Sequence, residues 1–277
     1  MSNAALARGR EPDRGPELAI GRFVWYDDLL LATLSESALM TPQGPRRMLR
    51  YGCLTLLLAV MLRTAHAKDA DLQTAKAPSG RWIELFDGKS LDGWTTDDGQ
   101  PVTRGWSVQK GMLFHSGRSG NIITRRQFGD FELVVQWKMK PGTNSGIKYR
   151  LKEYSHRRLG CEYQLIDDAG YRYPLASWQR TGALYGLYPP PRSAKPNPPG
   201  QWNTARIVAS GSHLEHWLNG HQLVSANTAS EDWKRRVMHS KFSDYPEFGR
   251  NARGPIMLQD HGGTIWFRKV ALRRLGK

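Results

Sequence analysis

Residues 214–224, Leu-Glu-His-Trp-Leu-Asn-Gly-His-Gln-Leu-Val, have the pattern of two short β-strands joined by a tight turn. Leu214, His216 and Leu218 share one side of the first strand, as expected for a strand with one buried face. Asn219 and Gly220 both tolerate positive φ, so they predict a two-residue type I′ hairpin turn. Gly211-Ser212 and Gly262-Gly263 predict further hairpin turns of this kind.

The same pattern extends in both directions from this hairpin. From Trp82 onward, short apolar or alternating runs are separated by Gly, Pro, Asn and Asp clusters, and no long helical period occurs among them. This spacing predicts an all-β sandwich or jelly roll of two antiparallel sheets. Two long connections, residues 167–200 and 226–253, are predicted to be functional or disordered. Strands are predicted near 105–109, 111–115, 121–124, 130–139, 145–151, 160–166, 203–210, 213–218, 221–225, 254–260 and 263–272.

An export signal is predicted ahead of this domain. Residues 51–62 are twelve apolar positions, preceded by three arginines and followed by Ala65-His66-Ala67. Basic region, apolar region and A-x-A site in this order are typical of a signal peptide. Twelve helical residues cover only about 18 Å of a hydrocarbon layer about 30 Å thick, so no permanent membrane span is predicted. We therefore expect cleavage near Ala67 and a periplasmic or extracellular location.

The predicted organisation has four parts. Residues 1–47 are an upstream extension that is disordered or not translated, and residues 48–67 are the signal peptide. Residues 68–80 form a linker, and residues 81–277 form the β-sandwich domain. The mature part has Cys161 as its single cysteine, which excludes an internal disulfide and predicts a buried packing residue.

The mature part is basic, with 32 Lys and Arg against 19 Asp and Glu. These residues are spread along the chain without a run of five or more, and export argues against a nucleic acid partner. The charge therefore predicts a solvated basic surface, with attraction to an acidic glycan or the cell envelope as the other interpretation. The oligomeric state is left open.

Eight sequence blocks follow one another between Leu85 and Leu275. They are LFDGKSLDGW (85–94), FGDFELVVQWK (128–138), NSGIKYR (144–150), GCEYQLIDD (160–168), TGALYGLYPP (181–190), QWNTARI (201–207), HWLNG (216–220) and GPIMLQDHGGTIWFRKVALR (254–273). In these blocks and in their order, the chain resembles the 3-keto-disaccharide hydrolase family. The resemblance implies a concanavalin A-like β-sandwich, export, and cleavage of glycosides oxidised to a ketone at carbon 3.

Strand alternation within these blocks indicates which polar residues share a face. One possible polar set from three strands consists of Glu162, Gln164, Lys148, Arg150, Gln259 and His261. With the family blocks, the alternation predicts Glu162, His261 and Arg150 as catalytic residues. The predicted substrate-binding residues are Gln164, Lys148, Asn144, Tyr185, Gln259 and His216, the last of which also fits a partly buried sheet position.

The chemistry of a 3-keto glycoside assigns roles to this set. The ketone acidifies the hydrogen on carbon 2, so a base can remove it, the enolate can expel the group on carbon 1, and water can then add. Glu162 or His261 could be the base, and Arg150 or Lys148 could hold the enolate oxygen. Tyr185 or His261 could protonate the leaving oxygen.

Other functions stay open from the sequence. A lectin-like module that binds carbohydrate without turnover is the main alternative, and a structural or adhesive role in the envelope is a third. A glycosidase with paired carboxylates fits less well, because only Glu162 falls convincingly on the face. No cofactor is predicted, and no metal, because no calcium loop, zinc motif, phosphate loop or GxSxG elbow occurs.

Overall fold

The computed structural model describes residues 80–155 and 157–276. The predicted extension and signal peptide lie outside the described residues, as does all but the last residue of the predicted linker. The described chain forms two antiparallel sheets, which confirms the predicted all-β class. The strands are β1 (Trp82–Glu84), β2 (Trp94–Thr96), β3 (Trp106–Gln109), β4 (Met112–His115), β5 (Ile122–Thr124), β6 (Phe131–Met139), β7 (Asn144–Tyr154), β8 (Arg157–Ile166), β9 (Asn203–Ser210), β10 (His213–Leu218), β11 (His221–Asn227), β12 (Met257–Leu258) and β13 (Ile265–Arg274).

The larger sheet has the strand order β11-β10-β9-β6-β13-β4-β3, and β1 pairs with the far end of β13. The smaller sheet has the order β2-β5-β12-β7-β8. Sequence patterns located eleven of these strands, although β12 is shorter than the predicted run at 254–260, and they missed β1 and β2.

Alternation along the strands builds the core between the sheets. In β6, Phe131, Leu133, Val135 and Trp137 are buried inside the sandwich. Burial of such aromatic and aliphatic side chains contributes most of the free energy that stabilises the fold. Truncating a buried Phe to Ala typically costs about 3–5 kcal/mol of that stability. The predicted packing role of Cys161 is confirmed, because its thiol is buried, and burial raises its pKa to about 12.

Two of the three predicted hairpin turns are confirmed. Leu218 pairs with His221 across Asn219 and Gly220, whose φ angles of 49° and 88° fit a type I′ turn. Ser210 likewise pairs with His213 across the turn between β9 and β10.

The hairpin predicted at Gly262-Gly263 is wrong. The strand before it, β12, pairs with β5 and β7 in the smaller sheet, whereas β13 pairs with β4 and β6 in the larger one. Both glycines have positive φ, as predicted, but here the turn carries the chain from one sheet to the other. A turn signal gives the local backbone conformation and does not say which strands pair.

The connection at 226–253 contains a helix that the sequence patterns did not predict, α1 (Glu231–Met238). The side chain of Ser230 caps it by accepting from the Trp233 N–H, and Trp233 is fully buried. Phe242 and Phe248 stack with their ring centroids 3.8 Å apart, which anchors the rest of the connection. Among the described residues, no helix has the length and apolar character that crossing a bilayer requires.

Candidate active site

Lys148 and Glu162 face each other on neighbouring strands of the smaller sheet. They are directly opposed in the β7–β8 ladder, and Lys148 Nζ lies 3.6 Å from Glu162 Oε2. Their neighbours Ile147 and Tyr163, also opposed, point into the core. Because successive side chains alternate, Lys148 and Glu162 lie on the outer face of this sheet.

Gln259 joins this pair across Gly146. Gln259 follows β12, and its backbone N–H donates to the Gly146 carbonyl at 2.9 Å. A Cβ on Gly146 would lie 2.6 Å from a terminal atom of the Gln259 amide and 2.8 Å from Glu162 Oε1. Gly146 therefore leaves the space in which the Gln259 and Glu162 side chains meet over the backbone.

The partners of Gln259 determine the orientation of its amide. Lys148 can only donate and an ionised Glu162 can only accept, so the amide oxygen must face Lys148 and the nitrogen must face Glu162. In this orientation Gln259 Nε2 donates to Glu162 Oε1 at 3.0 Å, and Oε1 accepts from Lys148 Nζ at 3.0 Å and from His261 Nε2 at 2.8 Å. His261 consequently carries its proton on Nε2, and in the neutral ring Nδ1 has a free lone pair.

The surroundings of His261 favour this neutral form. Burial lowers the pKa of His261 below 6.5; Glu162 opposes the shift, whereas Lys148 and Lys241 reinforce it. Glu162 itself is largely buried, with 7% of its surface exposed. Four groups therefore interact on this part of the sheet: the partly dehydrated carboxylate of Glu162, the neutral ring of His261, and the ammonium groups of Lys148 and Lys241.

Lys241 belongs to this site and was not anticipated from the sequence. Its side chain is exposed, but the protein atoms around its ammonium group partly desolvate it and lower its pKa, an effect opposed by Glu162 and reinforced by Lys148 and Arg157. Its Nζ lies 4.1 Å from the centroid of the Tyr185 ring. Lys241 comes from the connection at 226–253, whose length was the only signal in the sequence that it could reach a site.

The other long connection brings Tyr185 to the site. The Tyr185 N–H donates to the Glu162 carbonyl at 3.0 Å, and the Gly182 N–H donates to the Gln164 carbonyl at 2.9 Å. These bonds fasten the connection along β8, so Tyr185 lies beside the site. Trp178, which was not among the predicted site residues, contacts the Tyr185 ring with centroids 5.4 Å apart and is partly exposed.

Gln164 and Asn144 extend the polar face by one more row. Gln164 lies two residues beyond Glu162 on β8, and its Nε2 donates to Asn144 Oδ1 at 3.1 Å. The structure thus brings together seven of the nine predicted site residues, which are Glu162, His261, Lys148, Gln259, Gln164, Asn144 and Tyr185.

Asp260 holds the backbone next to His261. Its carboxylate accepts from the backbone N–H groups of Ser119 and Gly120 at 2.6 and 2.9 Å, and His115 Nε2 lies 3.0 Å from its Oδ1. Burial alone would raise its pKa, but these hydrogen bonds and that of the Gly262 N–H hold the pKa well below the usual range. Asp260 is therefore ionised, and its role is structural: it accepts hydrogen bonds that fix the backbone next to His261.

Arg150 does not join the site, contrary to the prediction. Its φ of 51° and the register shift after Tyr149 form a β-bulge that interrupts the alternation of β7. The guanidinium pairs with Asp130 at 2.8 Å and donates to the Gly211 carbonyl at 2.7 Å. It is 97% buried among these partners, at the end of the sandwich, so the proposed set of Glu162, Arg150 and His261 does not converge.

His216 is also placed differently from its predicted binding role. It is fully buried between the sheets, where its Nε2 lies 3.0 Å from the Tyr149 hydroxyl and its Nδ1 lies 3.1 Å from the Gly182 carbonyl. Burial lowers its pKa to about 4, so the ring is neutral. His216 therefore links the two sheets rather than contacting a ligand on the outer face.

Chemically, this arrangement suits proton transfer next to a carbonyl. It offers a carboxylate, a ring nitrogen with a free lone pair, and ammonium groups that can stabilise a developing oxyanion. Among residues 80–155 and 157–276, no three His, Cys, Asp or Glu side chains are grouped as metal ligands.

The fold and this site define a β-sandwich protein of the glycosyl hydrolase type. A Parabacteroides distasonis crystal structure, provisionally named a glycosyl hydrolase, is 35% identical, covers 71% of this chain and 94% of its own, and has a TM-score of 0.66. A second such structure from the same organism is 26% identical, with 70% and 100% covered and a TM-score of 0.57.

The sequence defines the family more narrowly. The profile of the 3-keto-alpha-glucoside-1,2-lyase-like domain matches residues 81–273, and the chain belongs to this family. A 3-keto-disaccharide hydrolase of Bacteroides thetaiotaomicron is 26% identical in an alignment of 245 positions that covers 75% of this chain and 84% of that protein.

Proposed function

We propose that this protein cleaves 3-keto glycosides or disaccharides by removing the proton on carbon 2 and eliminating the group on carbon 1. Family membership supports the substrate class. The observation that carries the mechanism is the network in which Gln259 bridges Glu162, Lys148 and His261 on the outer face of the smaller sheet. It gathers one carboxylate, that of Glu162, with a cation and an imidazole.

Glu162 is the proposed base. It takes the proton from carbon 2, and the electrons of that C–H bond form an enolate with the ketone at carbon 3. Lys148, opposite Glu162, stabilises the enolate oxygen. The enolate then expels the oxygen on carbon 1, leaving a double bond between carbons 1 and 2. Water adds its hydroxyl to carbon 1 and a proton returns to carbon 2, which completes a net hydrolysis.

The leaving oxygen needs a proton, and Lys241 is the proposed donor. Its lowered pKa makes its ammonium a stronger acid than an ordinary lysine, and the Tyr185 ring holds it beside the site. His261 fits this role less well, because its Nε2 proton is engaged by Gln259 and its Nδ1 is unprotonated. We assign His261 to support of Gln259 and to proton transfer through Nδ1.

A paired-carboxylate glycosidase is less compatible with these contacts. The nearest carboxylate in sequence to His261 is Asp260, whose oxygens already accept four backbone N–H groups and face His115. A second carboxylate that is held in this way is poorly suited to attack carbon 1 or to activate water.

The test compares a 3-keto glycoside with the same glycoside bearing an ordinary hydroxyl at carbon 3, both incubated with the full chain in deuterated water. We expect cleavage of the 3-keto form only, with deuterium at carbon 2 of the product. Cleavage of the ordinary glycoside without deuterium would contradict the mechanism. Binding of either glycoside without cleavage would favour the lectin-like alternative.

A further inference from the structure

A basic groove runs from the outer face of the smaller sheet, which also carries the candidate site, to the end of the sandwich where Arg150 and Asp130 pair. It consists of two adjoining cavities of about 1040 and 850 Å³, which share Gln127, Arg250, Ala252 and Arg253 in their walls. Cationic side chains dominate both cavities: together they are lined by eight Lys and Arg residues and by two acidic residues, Asp130 and Glu153.

Several of these cations have no carboxylate partner. Arg250, Arg158 and Lys234 form ion pairs with Glu247, Asp97 and Glu231, respectively. In contrast, Arg125 and Arg253 are exposed and make no ion pair within the described part of the chain. A concave wall with unpaired guanidinium groups favours an anionic ligand, because Arg binds carboxylate and sulfate oxygens with two parallel hydrogen bonds.

Strand register connects the groove to the candidate site. Lys148 is opposed to Met257, Met257 to Ile123, and Ile123 to Thr95, so these residues form one row across the smaller sheet. Ile123 and Thr95 line the groove, whereas Lys148 belongs to the site. Two strand spacings separate Lys148 from Ile123, about 10 Å. A short oligosaccharide can therefore reach from the site into the groove.

We propose that the groove binds the anionic part of a glycan, bearing carboxylate or sulfate groups, whose reacting sugar lies at Glu162. The position of the reacting sugar at Glu162 rests on the proposed function. The binding of the anionic part rests on the charge of the groove and on the strand register that connects the groove to the site. Arg125 and Arg253 are the specificity-determining residues.

The test measures binding of polygalacturonate, dextran sulfate, neutral dextran and duplex DNA to the full chain at several salt concentrations. The test variant is Arg125→Gln with Arg253→Gln. The matched control is Arg104→Gln, which alters an exposed arginine outside the groove. We expect at least one anionic polysaccharide to bind better than neutral dextran and DNA, with roughly tenfold weaker binding in the double variant, unchanged binding in the control, and loss at high salt.

Three results would overturn the proposal: equal weakening by Arg104→Gln, binding that the double variant leaves unchanged, or tighter binding of DNA. A second readout tests the connection to the site, since a short oligogalacturonate or sulfated oligosaccharide should inhibit 3-keto glycoside turnover competitively. Binding without inhibition would contradict that connection. The binding measurements with Arg125→Gln and Arg253→Gln require no turnover, so the groove can be assessed even if no turnover is found.

Discussion

Gln259 lies between Glu162 and Lys148 and hydrogen bonds to each at 3.0 Å, over a backbone position where only glycine leaves room. The register that opposes Lys148 to Glu162 and Gly146 to Gln164 produces this geometry. The amide thus holds the carboxylate and the ammonium at fixed positions beside each other.

Gly146→Ala should reduce activity without unfolding the protein. The added methyl would come within 2.6 Å of the Gln259 amide nitrogen and 2.8 Å of Glu162 Oε1, so both side chains must shift. We expect kcat for a 3-keto glycoside to fall at least tenfold, because a displacement of about 1 Å can cost more than that. The melting temperature should change little. Parent-level turnover would show that the Gln259 bridge is dispensable.

Lys241→Met should lower kcat by about 10², the lower end of what a general acid contributes. Methionine keeps the unbranched side chain that packs near Tyr185 but removes the ammonium group. The matched control is Lys89→Met, at an exposed turn away from the site, which should leave kcat unchanged. Glycosides with more acidic leaving groups should be affected less by Lys241→Met. An equal loss for all leaving groups would contradict the assignment.

His216 should make stability depend on pH, although it lies outside the site. Its pKa in the folded protein is about 4, below the ordinary value of 6.5, so the unfolded chain binds the extra proton first. Its contribution to stability is complete above pH 6.5 and is lost as the pH falls toward 4, by up to roughly 3 kcal/mol. Urea unfolding of the parent and of His216→Gln at pH 7, 5.5 and 4 measures this. A stability difference that does not change with pH would contradict it.

The predicted signal peptide can be tested by N-terminal sequencing. When the full chain is produced in a bacterial host and recovered from the periplasm or medium, we expect the mature protein to begin at or near Lys68. A mature N-terminus upstream of Met40 would show that the apolar run at 51–62 is not a cleaved signal.

Local patterns in the sequence predicted most of the sandwich, because strands with one buried face require alternation. They placed Glu162 and Gln164 on one face of β8 and Lys148 on the facing strand. The same rule failed at Arg150, because a β-bulge with positive φ redirects that side chain. Alternation also grouped His216 with the buried Leu214 and Leu218, which is where the structure places it.

The remaining features depend on contacts between distant parts of the chain. Lys241 reaches the site because Trp233, Phe242 and Phe248 anchor the connection at 226–253, and no local pattern indicates where that connection folds. The crossover at Gly262-Gly263 depends likewise on which sheet each flanking strand joins. Strand pairing of this kind is decided by the whole core rather than by turn residues.

The most direct test of the central claim is the rate of Glu162→Gln on a 3-keto glycoside. Glutamine keeps the shape of the side chain and its contact with Gln259 but cannot accept the proton from carbon 2. We expect kcat to fall on the order of 10² or more, with the melting temperature close to that of the parent and with loss of deuterium incorporation at carbon 2. A Glu162→Gln protein that turns over the 3-keto glycoside at the parent rate would contradict the assignment of Glu162 as the base.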